Sequence, residues 1–108
     1  MDSKKHGRFE EIIRDLAARF ILIESTGGGL ITVTKIESTD KGEMVTVFVS
    51  VFPESFEKEA LEFLKRKRSD FRFFVGENSK LFRVPFFEFA IDKGEKNRIR
   101  VEEASKNK

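Results

Sequence analysis

The chain has 108 residues, 21 Lys and Arg against 19 Asp and Glu, 39% hydrophobic and 12% aromatic residues, and no Cys. That length suits a single domain, since two independent cores are hard to build from it, and the lack of Cys excludes disulfides, zinc–thiolate sites and thiol nucleophiles together. No run approaches the roughly 20 apolar residues that span a bilayer, and Met1 to His6 is polar with no signal-type segment behind it, so a soluble, cytoplasmic protein without a membrane partner is expected.

Residues Phe9, Ile12, Ile13, Leu16 and Phe20 form one apolar helical stripe, which predicts a helix over Arg8 to Leu22. Gly27, Gly28 and Gly29 end it as a flexible turn. No Gly-Lys-Ser/Thr follows them and no helix opens there, so they fail as a phosphate loop. Two strands are expected at Leu30 to Ser38 and Glu43 to Phe52, joined by a Thr39-Asp40-Lys41-Gly42 hairpin turn. In the second strand Val45, Val47, Val49 and Val51 make the core face, while Met44, Thr46, Phe48, Ser50 and Phe52 make a mixed outer face. That pattern fits an antiparallel sheet covered by helices on one side.

Pro53 ends the second strand, and Ser55 is the expected N-cap of a helix running to about Arg68. Ser69-Asp70 should break it, because both residues favour caps over helix interiors. A further helix from about Phe71 to Phe82 would put Phe71, Phe74, Val75, Asn78 and Leu81 on its core-facing side and turn Arg72, Lys80 and Arg83 outward in one stripe. Pro85 opens a third strand with Phe87, Phe89 and Ile91 alternating against Phe86, Glu88 and Ala90. A short final helix over Glu95 to Glu103 and a flexible tail at 104–108 complete the chain, leaving 1–103 as the single domain.

The net charge of +2 conceals a polarised sequence. Glu37 to Glu62 holds seven acids and two bases, whereas Lys65 to Arg83 holds seven bases and two acids. A concentrated basic segment on a near-neutral chain is the footprint of a polyanion-binding surface, or equally of a solvated helix face. The candidates are Lys65, Arg66, Lys67, Arg68, Arg72, Lys80 and Arg83, converging around the Ser69-Asp70 junction, with Lys4, Lys5 and Arg8 adding charge from the N-terminal segment. Arg72 and Arg83 are expected to contact phosphates in bidentate fashion.

Catalytic chemistry finds no support. His6 is the single histidine, which excludes a multi-histidine metal site, and Glu57, Glu59 and Glu62 alternate with Lys58 as ordinary helix-surface charge. We therefore expect neither an enzyme nor a cofactor. Of 13 Phe residues, Phe9, Phe20, Phe56, Phe63, Phe71, Phe74, Phe87 and Phe89 fall on core faces. Phe48, Phe73 and Phe86 fall opposite, where Phe48 and Phe86 read as ordinary exposed residues and Phe73, beside Arg72, could stack on bases.

Three stretches resemble the ribosome-binding factor A family: Ile31 to Asp40, Val45 to Val51, and above all Phe82 to Asp92. The last is similar to that family's Arg-x-x-Pro-x-Leu-x-Phe-x-x-Asp signature, with Arg83 displaced by one position, and Phe71-Arg72 resembles the Ile-Arg pair opening its third helix. Gly27 to Gly29 stands where the family has Asp-Pro-Arg, and Lys67-Arg68-Ser69 replaces its Ala-x-Gly kink. No Gly-x-x-Gly loop is present, which separates the chain from KH domains that clamp nucleotides through that loop. The resemblance implies an α+β, KH-like (type II) fold ordered α-β-β-α-α-β, with a three-stranded sheet and its helices on one face. It also implies a non-catalytic protein that binds the small (30S) ribosomal subunit and assists late maturation of 16S rRNA, and a monomer is expected. A different class of function, a small protein-interaction module using the mixed face with Met44, Phe48 and Phe86, is the alternative.

Overall fold

The computed structural model describes residues 2–25 and 29–94, with side chains from residue 7 onward. Its elements are helix α1 (Asp2–Glu24), strands β1 (Leu30–Ser38) and β2 (Met44–Phe52), a 3₁₀ turn (Glu54–Phe56), helices α2 (Glu57–Arg66) and α3 (Arg68–Asn78), and strand β3 (Phe86–Ile91). The fold is α+β and KH-like, with the expected order. The helix expected over Glu95 to Glu103 and the tail at 104–108 lie outside the described residues.

The sheet has the order β1-β2-β3. β1 and β2 form an antiparallel hairpin that pairs Ile36 with Val47, and Gly42 takes φ +68° in the connecting turn. β3 joins the other edge of β2 in parallel, pairing Phe87 with Val45 and Phe89 with Val47. The expectation of an antiparallel sheet is thereby corrected to a mixed one. The cause is the connection, because a chain that passes through two helices over one face returns in the direction it left. β1 also slips register between Val33 and Lys35. That bulge moves Ile36 onto the buried face, where a strict alternation from Ile31 and Val33 would have turned it to solvent.

The three described α-helices cover the Val face. Val45, Val47 and Val49 are fully buried and Val51 nearly so. They meet Ile13, Leu16 and Ala17 of α1, Leu64 of α2, and Phe71 and Val75 of α3, with Phe9, Ile12, Phe63 and Phe74 packed around that core. Phe71 is its centre, with ring centroids 5.2 Å from Phe20, 4.6 Å from Phe87 and 5.7 Å from Phe89. Such tilted and edge-on contacts are the favoured aromatic geometry. Gly29 enters β1 at φ +99°, where an added Cβ would stand 3.1 Å from Phe56 Cβ and 3.2 Å from the Phe52 carbonyl. Glycine is needed there for backbone and space alike.

Three helix boundaries differ from expectation. α1 starts at Asp2, not Arg8, as nothing between them forbids a helix and an acidic residue suits its first turn. Ser55 is not a cap; it lies inside the 3₁₀ turn, and α2 begins after Phe56 with Glu57 and Glu59 facing its positive end. The break between helices falls at Lys67 (φ −96°, ψ 9°), not at Ser69-Asp70. The Lys67 N–H is shared by the Phe63 and Leu64 carbonyls, and its own carbonyl accepts from Phe71 N–H at 2.9 Å. One residue closes α2 and opens α3, and Asp70 complements the first turn of α3.

Candidate nucleic-acid interface

α3 stops at Asn78, four residues short of the expected end. Asn78 Nδ2 donates to the Phe74 carbonyl at 2.8 Å and Ser79 Oγ to the Val75 carbonyl at 2.7 Å, satisfying the carbonyls that a further turn would have used. Residues 79–85 are therefore a loop. Lys80 and Arg83 leave the helical stripe predicted for them, although Leu81 still packs against the core.

This loop is tied back to α3 by Arg72. Its Nε donates to the Pro85 carbonyl at 3.1 Å, its Nη2 to the Val84 carbonyl at 3.0 Å, and its guanidinium lies 4.3 Å from the Phe86 ring centroid. Two of its five N–H groups are thus spent on the backbone, so Arg72 ties down the loop while its exposed guanidinium still presents charge to solvent. Arg83 has no ion pair among the described residues and keeps its full set of donors.

Between α3, the loop and the starts of β2 and β3 lies an open groove of 890 Å³. Arg68, Arg72 and Arg83 line it, together with Phe73, Phe82, Phe86 and Met44. Two acids are also present. Glu88 is bound by Arg68 Nη1 at 2.7 and 2.8 Å, and Glu77 lies on the α3 side.

The remaining basic candidates divide. Lys67 pairs with Glu24 of α1 at 3.5 Å and with Asp70 at 3.7 Å, so it braces the helix junction instead of offering a free charge. Lys65 and Arg66 are exposed in the last turn of α2, complementing its negative end. Lys80 is exposed in the loop beyond α3. Arg8 is exposed on α1, which contributes no residue to the groove. Lys4 and Lys5 fall in the first turns of α1, and their side chains lie outside the described residues. The groove thus gathers three of the ten candidates.

What the sequence reading missed is aromatic. Phe82, assigned to a helix end, is fully exposed, and Phe86, read as ordinary, stacks under Arg72. The signal was present in Asn78-Ser79, a helix stop that leaves Phe82 in a loop with no core position to fill. Asp92, the last residue of the signature-like stretch, is buried. Its Oδ2 lies 2.6 Å from Thr34 Oγ1 and its N–H donates to the Val49 carbonyl at 2.8 Å, so it clips β3 across β2 to the β1 bulge. Among the described residues no group of His, Cys, Asp or Glu is arranged to hold a metal. No described helix is long and apolar enough to cross a membrane.

Comparison with known proteins agrees with this architecture. The sequence profile of ribosome-binding factor A matches residues 4–105. A ribosome-binding factor A of Fervidobacterium nodosum is 29% identical over 73 residues, which are 67% of this chain and 58% of that protein. The chain thus aligns with little more than half the length of that curated relative. The crystal structure of ribosome-binding factor A from Thermus thermophilus superposes with a TM-score of 0.71 at 23% identity, covering 79% of this chain and 92% of the other. A homology model of Thermus thermophilus ribosome binding factor A, fitted into the cryo-EM map of a complex with the 30S particle, gives a TM-score of 0.53 at 26% identity, over 60% of this chain and 69% of that one.

Proposed function

This chain belongs to the ribosome-binding factor A family, and from that premise we propose that it docks on the small ribosomal subunit and assists late maturation of 16S rRNA without catalysing a reaction. It acts as a cytoplasmic monomer whose contact surface is the α3–β3 face. The observation that carries this reading is the convergence of Arg72 and Arg83 on one groove, with Arg68 already neutralised by Glu88 and Lys80 exposed in the same loop as Arg83. The relative seen in complex with a 30S particle supports the choice of partner. Phosphate contacts would hold such a surface to RNA mainly by charge and shape.

The sheet's outer face is a weaker docking surface for a protein. Lys35 Nζ sits 4.7 Å from the Phe48 ring centroid and Arg72 lies over Phe86, so two of the three residues expected to carry it (Met44, Phe48 and Phe86) are already in contact with cations.

The test is charge reversal at Lys80 and Arg83, two exposed loop residues without a structural partner among the described residues. The folded K80E/R83E variant should lose co-sedimentation with isolated small subunits. Its dependence of log K on log salt should become shallower by about one for each phosphate contact removed. A folded double variant that sediments like the parent would refute this placement.

A further inference from the structure

The groove contains more apolar ring surface than folding accounts for. Phe82 is 103% exposed, Phe73 69%, Phe86 60% and Met44 39%, and all four line the same concavity. Single exposed apolar residues are common, but a cluster on one concave surface marks a contact site. Phe86 is also pre-organised. The Arg72 guanidinium is held 4.3 Å from its ring centroid by two backbone carbonyls, and Arg72 is itself exposed, so this cation–ring pair is open to solvent.

Charge selects the occupant. With Glu88 taken up by Arg68, the groove keeps Arg72 and Arg83 against Glu77, and Lys80 is exposed in the loop that carries Arg83. A basic peptide would meet like charge there. A nucleotide with an unpaired base brings one flat ring and one negative charge per unit, which matches rings interleaved with cations. Duplex RNA presents its bases already stacked on each other and cannot use the rings.

We propose that this groove stacks unpaired bases of RNA, with Phe82 and the Arg72–Phe86 pair supplying the stacking surfaces and Arg83 and Lys80 holding the flanking phosphates. This deepens the reading of the α3–β3 face as an RNA surface and rests on it. Because every base has a π-face and phenylalanine has no polar atom to read an edge, the site recognises the unpaired state with little regard to sequence.

The experiment compares the full chain with Phe82→Ala, using a short single-stranded RNA that carries 2-aminopurine and a hairpin duplex of equal length. Phe82 is not buried, so the variant should unfold at the parent's midpoint. Parent protein should quench the 2-aminopurine and prefer the single strand. Phe82→Ala should abolish most of the quenching and weaken single-strand binding by roughly 5- to 100-fold, with an unchanged salt slope because no phosphate contact is lost. Arg83→Gln should do the opposite, keeping the quenching at saturation and lowering the slope by about one.

Absence of quenching by the parent, or a Phe82→Ala variant that binds the single strand as the parent does, would overturn the proposal. So would a shift of the Phe82 and Phe86 NMR signals with the RNA-free protein fraction of small subunits and none with RNA. Co-sedimentation of the parent with small subunits is read separately. Subunit binding without base stacking sinks this inference alone, whereas stacking without subunit binding sinks the proposed function and leaves the base site standing.

Discussion

Arg72→Lys separates a charge from a fixture. The substitution keeps the positive charge but removes the planar fork that reaches the Pro85 and Val84 carbonyls together while covering the Phe86 ring. Hydrogen bonds from a charged donor are worth about 1.5–3 kcal/mol when well shielded, and an exposed cation–ring contact about 0.5–1 kcal/mol. In a groove open to water, with lysine recovering one of the contacts, the net loss should be about 1–2 kcal/mol. For a domain of this size that corresponds to a fall in Tm of roughly 5–15 °C. The chain has neither Trp nor Tyr, so urea unfolding is followed by far-UV circular dichroism. Amide exchange should show where the loss falls: the Phe86 N–H, which donates to the Glu43 carbonyl at 2.9 Å, should exchange faster, and the amides of β1 should not. Small-subunit binding should weaken several-fold with the salt slope retained, because Phe82 and Arg83 lose their support while the charge remains. Unchanged stability together with unchanged Phe86 exchange would show that Arg72 is not what holds the loop.

Val47→Ala should cost about 2–3 kcal/mol in urea unfolding, since two fully buried methyl groups are removed beside Ile36 and Phe89 and a cavity remains. Thr46→Ala, on the opposite face of the same strand, should stay within about 0.5 kcal/mol, and a reversed order would mean that the faces are exchanged. Gly29→Ala should destabilise by about 1–3 kcal/mol through its positive φ and its contact with Phe56, and a neutral result would contradict that backbone. Gly42→Asn is the control, with φ +68° and open space around it, and should be nearly neutral.

The parts of the fold written in short-range periodicity were legible. The Val45 to Val51 alternation and the stripe from Phe9 to Phe20 need only neighbours a few residues away, and both packed as read. The errors lie where local preference meets a competing partner. Lys67 became the helix break because Glu24 and Asp70 hold its ammonium and its N–H is shared by two carbonyls, a combination spread over three elements. Arg72 read as an outward charge until the carbonyls of Val84 and Pro85 came within reach, and those belong to a loop that the helical pattern had absorbed. Ile36 is buried through a bulge, which alternation alone does not announce. Of the candidate site, the basic residues could be listed from composition, but their sorting into braces, fixtures and open charges required the structure.

The place of β3 after both paired helices sets the order in which the molecule becomes whole. β1 and β2 can pair as soon as both have been made, yet Phe71 lacks two of its ring partners until Phe87 and Phe89 exist, and the Thr34 clip waits for Asp92. The same late segment supplies the carbonyls that seat Arg72, the ring beneath it and the carboxylate that neutralises Arg68. Folding and the proposed RNA surface are therefore completed in one step, when β3 emerges. A nascent chain translated only as far as α3 carries Lys65 to Arg72 without Lys80, Arg83 or the groove, and so cannot use that surface to engage the ribosome that is making it.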